Sequence, residues 1–137
     1  METLPSGRSD VVEDEEDLAR YLTSSSQFNA VMVKPAAFLP NPRDGETSVF
    51  RHGSEPRGAL WQIAREYAVG DRALRGAAIV KARHVRAALL DVAASEPPPR
   101  HANIIGWAWS ESDPEMGKAE RKEQAALIAQ HADLVRR

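Results

Sequence analysis

The spacing of apolar residues changes several times along this chain, and each change marks an expected secondary-structure element. Leu18, Tyr21 and Leu22 recur at positions i, i+3 and i+4 behind an acidic turn, which predicts a short helix. Residues 28–34 are rich in strand-forming side chains and are followed by Pro35, which predicts a strand that ends at a sheet edge or a bulge.

Residues 48–51, SVFR, alternate enough between polar and apolar side chains to predict a second strand. The turn-forming pairs Asn41-Pro42 and Asp44-Gly45 lie between it and the strand at 28–34. We therefore expect the two strands to form a hairpin.

The stretch 54–70 predicts the clearest helix in the first half of the chain. Ser54 can cap this helix, Pro56 can occupy its first turn and Gly70 can end it. Its apolar positions form one stripe that is expected to pack on the sheet: Leu60, Ile63, Ala64 and Tyr67, with Trp61 and Ala68 along the edge.

Residues 77–100 predict a strand, a short helix, a second strand and a connector. The patterns favour a strand over 77–82, a helix over 83–89 and a strand over 90–94. The prolines at 97–99 favour an extended polyproline II conformation, so we expect a stiff connector there.

The stretch 101–109, HANIIGWAW, predicts a strand that is apolar on both faces, as in the centre of a sheet. Trp107 and Trp109 are then core or core-edge residues, with a ligand or partner platform as the alternative. The polar side chains at its proline end are not explained by a core, so we consider Arg100, His101, Asn103 and Trp109 as candidate binding residues.

The C-terminal stretch predicts a long helix that runs to the end of the chain. Asp113 is placed to cap it and Pro114 to occupy its first position. Its expected buried stripe comprises Ala125, Ile128, Ala129, Ala132 and Val135.

The elements together predict a single α+β domain over 14–137, preceded by a disordered acidic tail over 1–13. We expect a small mixed or antiparallel sheet of four to five strands, with the helices mainly on one face. Residues 1–17 hold seven acidic side chains and one arginine, while the whole chain has a net charge of −2. The acidic stretch is either solvated or an arm for a basic partner.

The residue types present exclude several kinds of chemistry. The chain has no cysteine, which excludes disulfides, thiolate nucleophiles and cysteine zinc sites. Its four histidines are His52, His84, His101 and His131, and the closest two are 17 residues apart, so we expect no metal site. Glycine-rich phosphate loops and the G-x-S-x-G motif are absent, and we expect no cofactor.

Three short resemblances connect this chain with known families. Residues 52–54, HGS, resemble one half of the H-x-S/T signature of the two-histidine phosphoesterases, while 101–103, HAN, has asparagine where the second hydroxyl belongs. Residues 97–104 are similar to the proline run and His-Pro-Asn tripeptide of ubiquitin-conjugating folds, without the central proline or a cysteine. The combination of AFLP, DGETSVFR and HANIIGW is similar to small bacterial proteins that we expect in multi-gene operons.

With no complete catalytic set, we expect a non-catalytic bacterial interaction module or accessory subunit that binds a protein partner or forms a homo-oligomer. It has neither a secretory signal nor an apolar stretch of about 20 residues, so we expect it in the cytoplasm and not in a membrane. The alternative is a small phosphodiesterase or nucleotide-processing enzyme that uses His52, His101, Arg51 and Asn103. A further alternative is weak nucleic-acid binding, since 43–100 hold ten basic and seven acidic residues.

Overall fold

A computed structural model describes residues 2–53 and 55–137, and this part of the chain forms a six-stranded antiparallel sheet packed with three helices. The strand order is β4-β5-β2-β1-β3-β6. The strands are β1 (Asp17–Leu22), β2 (Thr47–His52), β3 (Gly76–Lys81), β4 (Asp91–Ala94), β5 (His101–Ile105) and β6 (Asp133–Arg136). The helices are α1 (Arg57–Ile63), continued by a π-helical turn (Ala64–Ala68), α2 (Ala82–Ala87) and α3 (Pro114–Gln130).

Both faces of the sheet are covered by apolar side chains. Leu18 and Leu22 of β1 face a larger core that also contains side chains of α2 and α3. Ala19 and Tyr21 of the same strand face a smaller core formed with α1. The predicted α+β class is therefore confirmed, with two of the three helices on one face and with one strand more than expected.

Residues 17–22, predicted to be helical, form the central strand β1. All the apolar side chains of β1 are buried because both of its faces are covered. In a strand that is apolar on both faces, apolar residues no longer alternate with polar ones. The spacing of its apolar residues can then match that of a helix. The helix prediction was wrong for this reason.

The predicted strand at 28–34 is a loop held by one bridge between Phe28 and Val33. The side chain of Asn29 accepts hydrogen bonds from the backbone amides of Val31 and Met32, each at 2.9 Å, and this local turn competes with strand pairing. Strand β2 pairs with β1 and β5 instead, and the predicted hairpin is wrong.

The end of the chain is a strand rather than the last turns of the predicted helix. Asp113 caps α3 through the amide of Met116 at 3.1 Å, as the sequence predicts, but the helix ends at Gln130. Strand β6 then pairs with β3, and Val135 packs against the smaller core.

Two other predicted elements also differ. Residues 97–100 form a turn instead of a polyproline II segment, and Arg100 has a positive φ of 67°. Strand β5 ends at Ile105 because Gly106 turns the chain with a φ of 89°. Trp107 beyond it is buried in the larger core, whereas Trp109 is 53 % exposed.

The helix predicted over 54–70 is present as α1 and its π-helical turn, and Gly70 follows with a φ of 56°. Pro56 stands directly before the first helical residue. The predicted cap Ser54 lies outside the described residues. Strands β2, β3 and β4 and helix α2 form close to their predicted positions.

The N-terminal residues contact the body instead of extending away from it. Val12 is buried in the larger core, and the side chain of Ser6 donates a hydrogen bond to Glu96 at 2.5 Å. The disorder expected for residues 1–13 stays a prediction. No helix in the described part of the chain is long and apolar enough to cross a membrane.

Candidate functional site

His101 of β5 binds the side chain of Ser48 on the neighbouring strand β2. Its Nε2 lies 2.7 Å from the Ser48 hydroxyl and its Nδ1 lies 2.9 Å from the Ser95 carbonyl. A carbonyl can only accept, so Nδ1 carries the proton and Nε2 accepts from Ser48. A hydroxyl, a histidine base and a group that orients the base form the arrangement of an activated nucleophile. Sequence analysis missed Ser48, which lies 53 positions from His101.

Arg51 lies on the opposite face of β2 and does not join His101. It is 2 % exposed, and its guanidinium donates to Glu16 at 2.8 and 2.9 Å. It also donates to the Ser9 carbonyl at 2.5 Å and the Val11 carbonyl at 3.3 Å. These contacts hold the N-terminal segment on the sheet, which gives Arg51 a structural role.

His52 and Arg100 converge on the carboxylate of Glu55. His52 Nδ1 lies 3.4 Å from one Glu55 oxygen, and Arg100 Nη1 lies 2.6 Å from the other, which Arg8 also contacts. Burial would raise the pKa of Glu55, but backbone hydrogen bonds from Glu55 and Gly53 and the charges of Arg100 and Arg8 lower it. Glu55 is therefore an ionised partner for these basic groups.

His52 and His101 face the same side of the sheet, because the β2 residue paired with His101 is Phe50, two positions before His52. The edge of the Phe50 ring packs on His101, with the ring centroids 5.2 Å apart. The two histidines have different partners, namely Glu55 for His52 and Ser48 for His101.

The other two predicted binding residues, Asn103 and Trp109, contact different parts of the protein. Asn103 is paired with Ser48 across β5 and β2, on the face that carries His101. Trp109 lies beyond β5, where the guanidinium carbon of Arg121 sits 3.8 Å from the ring centroid in a cation–π contact. The Gly45 backbone approaches the same ring closely enough that a Cβ there would lie 3.3 Å from its Nε1.

The acidic residues near the N-terminus pair with basic residues of β3 and α2. Arg83 lies 2.7 Å from Glu15, and Arg86 lies 2.5 Å from Asp14. Each such exposed ion pair stabilises the fold only weakly. Together, however, these pairs connect the acidic residues near the N-terminus with the basic residues of β3 and α2. The acidic stretch therefore contacts the chain's own basic residues.

His84 and His131 stack with parallel rings and centroids 4.1 Å apart. Desolvation and the neighbouring charge of His131 lower the pKa of His84. Outside residues 1 and 54, no three histidine, aspartate or glutamate side chains come together in a group that could hold a metal ion.

An apolar groove of about 400 Å³ runs between the loop at 31–35, α3 and β6. Val31 and Met32 form its outer rim and are 83 % and 56 % exposed. Its lining includes Val33, Pro35, Ala126, Ala129, Ala132 and Leu134. We refer to this surface as the apolar groove.

A second concavity, of about 450 Å³, lies beside the segment that connects β1 to β2, at the point where these two strands separate. The two strands pair only from Asp17 to Ala19, and the Arg20 side chain lies in the gap that follows. Ser48, Phe50 and Arg72 also line this space. We refer to it as the strand-gap cleft.

Comparison with known proteins finds no matching family model, no matching curated protein and no matching solved structure.

Proposed function

We propose that this protein is a non-catalytic interaction module of the bacterial cytoplasm, and that the apolar groove binds a segment of a partner protein. The exposed apolar rim of the groove is the observation that supports this proposal. An apolar rim beside an apolar recess is typical of surfaces that bind another protein.

The groove offers a favourable environment for one or two apolar side chains of a partner. Val31 and Met32 would lose water contact when a partner covers them, and full burial of such a side chain contributes about 1.5–3 kcal/mol. The floor contains small residues, among them Ala129 and Ala132, so a large anchoring side chain has room to enter.

Charges near the groove favour an acidic partner segment. Lys34 lines the groove, and Arg136 lies above the ring of Phe28, which bridges to Val33. Among the residues that the structure describes, neither basic side chain forms an ion pair. The partner that fits is a segment with an apolar anchor flanked by aspartate or glutamate.

A selection from a displayed library of random peptides tests this proposal. We expect the full chain to enrich peptides with an aromatic or aliphatic anchor between acidic residues. Met32→Asp is expected to weaken the selected peptides at least tenfold, because it places a charge on the apolar rim and repels their acidic flanks.

Leu89→Asp is the matched control, since Leu89 is 88 % exposed and lies outside the groove lining. It should change peptide affinity less than twofold. The proposal is wrong if no peptides are enriched, or if the enriched peptides bind the Met32→Asp protein equally well. Sedimentation equilibrium that shows a dimer lost in Met32→Asp would assign the groove to a second copy of this chain instead.

The second candidate is a small hydrolase that acts on a phosphodiester or nucleotide. The observation in its favour is the hydrogen bond between the exposed Ser48 hydroxyl and His101, whose other nitrogen is oriented by Ser95. In this mechanism His101 would take the hydroxyl proton while Ser48 Oγ attacks the phosphorus; the scissile P–O bond breaks, and the proton on His101 passes to the departing alcohol oxygen. This differs from the pairing of His52 with His101 that the sequence suggested.

A fluorophosphonate probe separates the two candidate functions, because it reacts covalently with activated serine hydroxyls. A catalytic pair predicts labelling at Ser48 that Ser48→Ala and His101→Ala both abolish, while Ser25→Ala, which removes an exposed serine outside the pair, retains it. The interaction proposal predicts no labelling of Ser48. Mass spectrometry of the intact and digested protein reports the outcome.

A further inference from the structure

The strand-gap cleft contains an arginine in an unusual environment. Arg20 projects between β1 and β2, where its Nε donates to the Ala37 carbonyl at 2.8 Å and its Nη1 donates to the Ser48 carbonyl at 3.0 Å. Within residues 2–53 and 55–137, no carboxylate lies within ion-pair distance of this guanidinium. The guanidinium therefore forms hydrogen bonds to backbone carbonyls and no ion pair among the described residues.

A second guanidinium increases this positive charge. Arg72 follows the π-helical turn and donates to the carbonyls of Ala68 at 2.8 Å and Val69 at 3.2 Å. Desolvation, and to a smaller extent the charge of Arg72, lower the pKa of Arg20. Like charges held together in a cleft favour an anionic group between them.

The same cleft also carries negative charge. Asp44 and Glu46 line it from the loop before β2. Neither carboxylate lies within 4.0 Å of a basic side chain in the described part of the protein. Two cations and two anions therefore line one cleft without forming an ion pair with each other.

Part of the remaining wall is apolar and contains Tyr21, Leu39 and Phe50, while polar side chains complete it: Thr23, Gln27, Asn41 and Ser48. The Tyr21 hydroxyl donates to the Leu60 carbonyl at 2.8 Å, so its ring is fixed in place. This wall can cover a hydrocarbon or aromatic side chain, while the charged groups bind the polar ends of the same ligand.

We propose that the strand-gap cleft binds a small zwitterion, a free amino acid or a dipeptide, with its carboxylate at Arg20 and Arg72 and its ammonium at Asp44 and Glu46. The volume of about 450 Å³ is sufficient for such a ligand with an apolar side chain. A guanidinium binds a carboxylate through two parallel hydrogen bonds, which favours a carboxylate over a spherical anion. This site is separate from the apolar groove, and the inference does not depend on the proposed function.

The probes are the twenty common amino acids and a set of dipeptides with one apolar residue, titrated one by one into the full chain by isothermal titration calorimetry. We expect at least one probe with an apolar side chain to bind. Its N-acetylated and its amidated forms are expected to bind at least tenfold more weakly, because each lacks one of the two charges.

Variants then connect the binding with the cleft. Arg72→Gln and Asp44→Asn are each expected to weaken the best probe at least tenfold, and both residues lie on exposed loops where the changes leave the core intact. Arg43→Gln is the matched control, since Arg43 is an exposed arginine of the same loop outside the cleft lining, and it should change affinity less than twofold. Circular dichroism confirms that each variant is folded.

Three outcomes overturn the inference. The first is that none of the probes binds at millimolar concentration, and the second is that binding persists in both Arg72→Gln and Asp44→Asn. The third is that inorganic phosphate or acetate alone binds as tightly as the best amino acid and is insensitive to Asp44→Asn, which would show a simple anion site.

Discussion

Replacing Glu16 by alanine is expected to lower the free energy of unfolding by about 3 kcal/mol, because removal of one partner leaves a buried charge without compensation. The two carboxylate oxygens of Glu16 accept hydrogen bonds from Nε and Nη2, on one edge of the Arg51 guanidinium, and Arg51 is 2 % exposed. The remaining Ser9 and Val11 carbonyls cannot neutralise that charge. Urea unfolding at pH 7, followed by circular dichroism, measures the loss.

Glu13→Ala is the control, since Glu13 is also acidic, lies three positions away and is exposed. Its loss should stay below about 0.5 kcal/mol, as for most surface substitutions. Equal losses in the two variants would contradict the role assigned to the Glu16–Arg51 pair. A fall in the cooperativity of unfolding only in Glu16→Ala would show that the N-terminal segment has detached.

The same pair predicts how stability depends on pH. Burial would raise the pKa of Glu16, but the hydrogen bonds from Arg51 and the Glu13 amide, with the charges of Arg51 and Arg8, lower it below 4.5. Because the pKa is lower in the folded protein, the contribution of Glu16 is complete above pH 4.5 and is lost as the pH falls through the folded value. The difference between wild type and Glu16→Ala should therefore shrink in acid.

Replacing Gly76 by alanine is expected to cost about 2 kcal/mol, a value within the range for overpacked sites. A Cβ at this position would lie 2.7 Å from the Val135 carbonyl oxygen, which is backbone and cannot rotate away. Strands β3 and β6 must therefore separate. Thermal unfolding and the hydrogen exchange of the β6 amides both report this change, and exchange in β6 should accelerate most.

Gly58→Ala provides the opposite control. Gly58 lies in α1, and a Cβ there meets no heavy atom within 4 Å. Alanine is favoured over glycine in a helix, so this variant should gain about 0.5–1 kcal/mol in free energy of unfolding.

Because Leu134 of β6 lines the apolar groove, Gly76→Ala should also weaken the binding of the selected peptides. Unchanged exchange in β6 would contradict the predicted clash.

Features that depend on local chemistry were predictable from the sequence. The cap at Asp113 with Pro114 after it starts α3 at the predicted residue, and Gly70 follows the helical segment that begins after Pro56. Caps and helix-ending glycines act within one turn of the chain, so the residues that determine them are all adjacent. Strand β2 likewise includes the predicted residues 48–51.

The candidate sites were only partly predictable. Sequence analysis selected His101 because the core did not explain its polarity, and the structure shows it bound to Ser48. It did not select Ser48, Arg20 or Arg72, since an exposed serine and two arginines among many have no pattern of their own. The sequence predicts a strand that includes Val31 and Met32. In the structure these residues lie in a loop, because the Asn29 side chain accepts hydrogen bonds from their backbone amides.

The sequence by itself determined the α+β class, the start of α3, the helical segment before Gly70 and the strand at β2. Only the tertiary structure decided that 17–22 is a strand, that β6 closes the sheet beside β3, and that β1 lies next to β2. These features depend on contacts between residues that are far apart in the chain. A strand buried on both faces has no alternation to reveal it, and its conformation is set by the neighbours that pair with it.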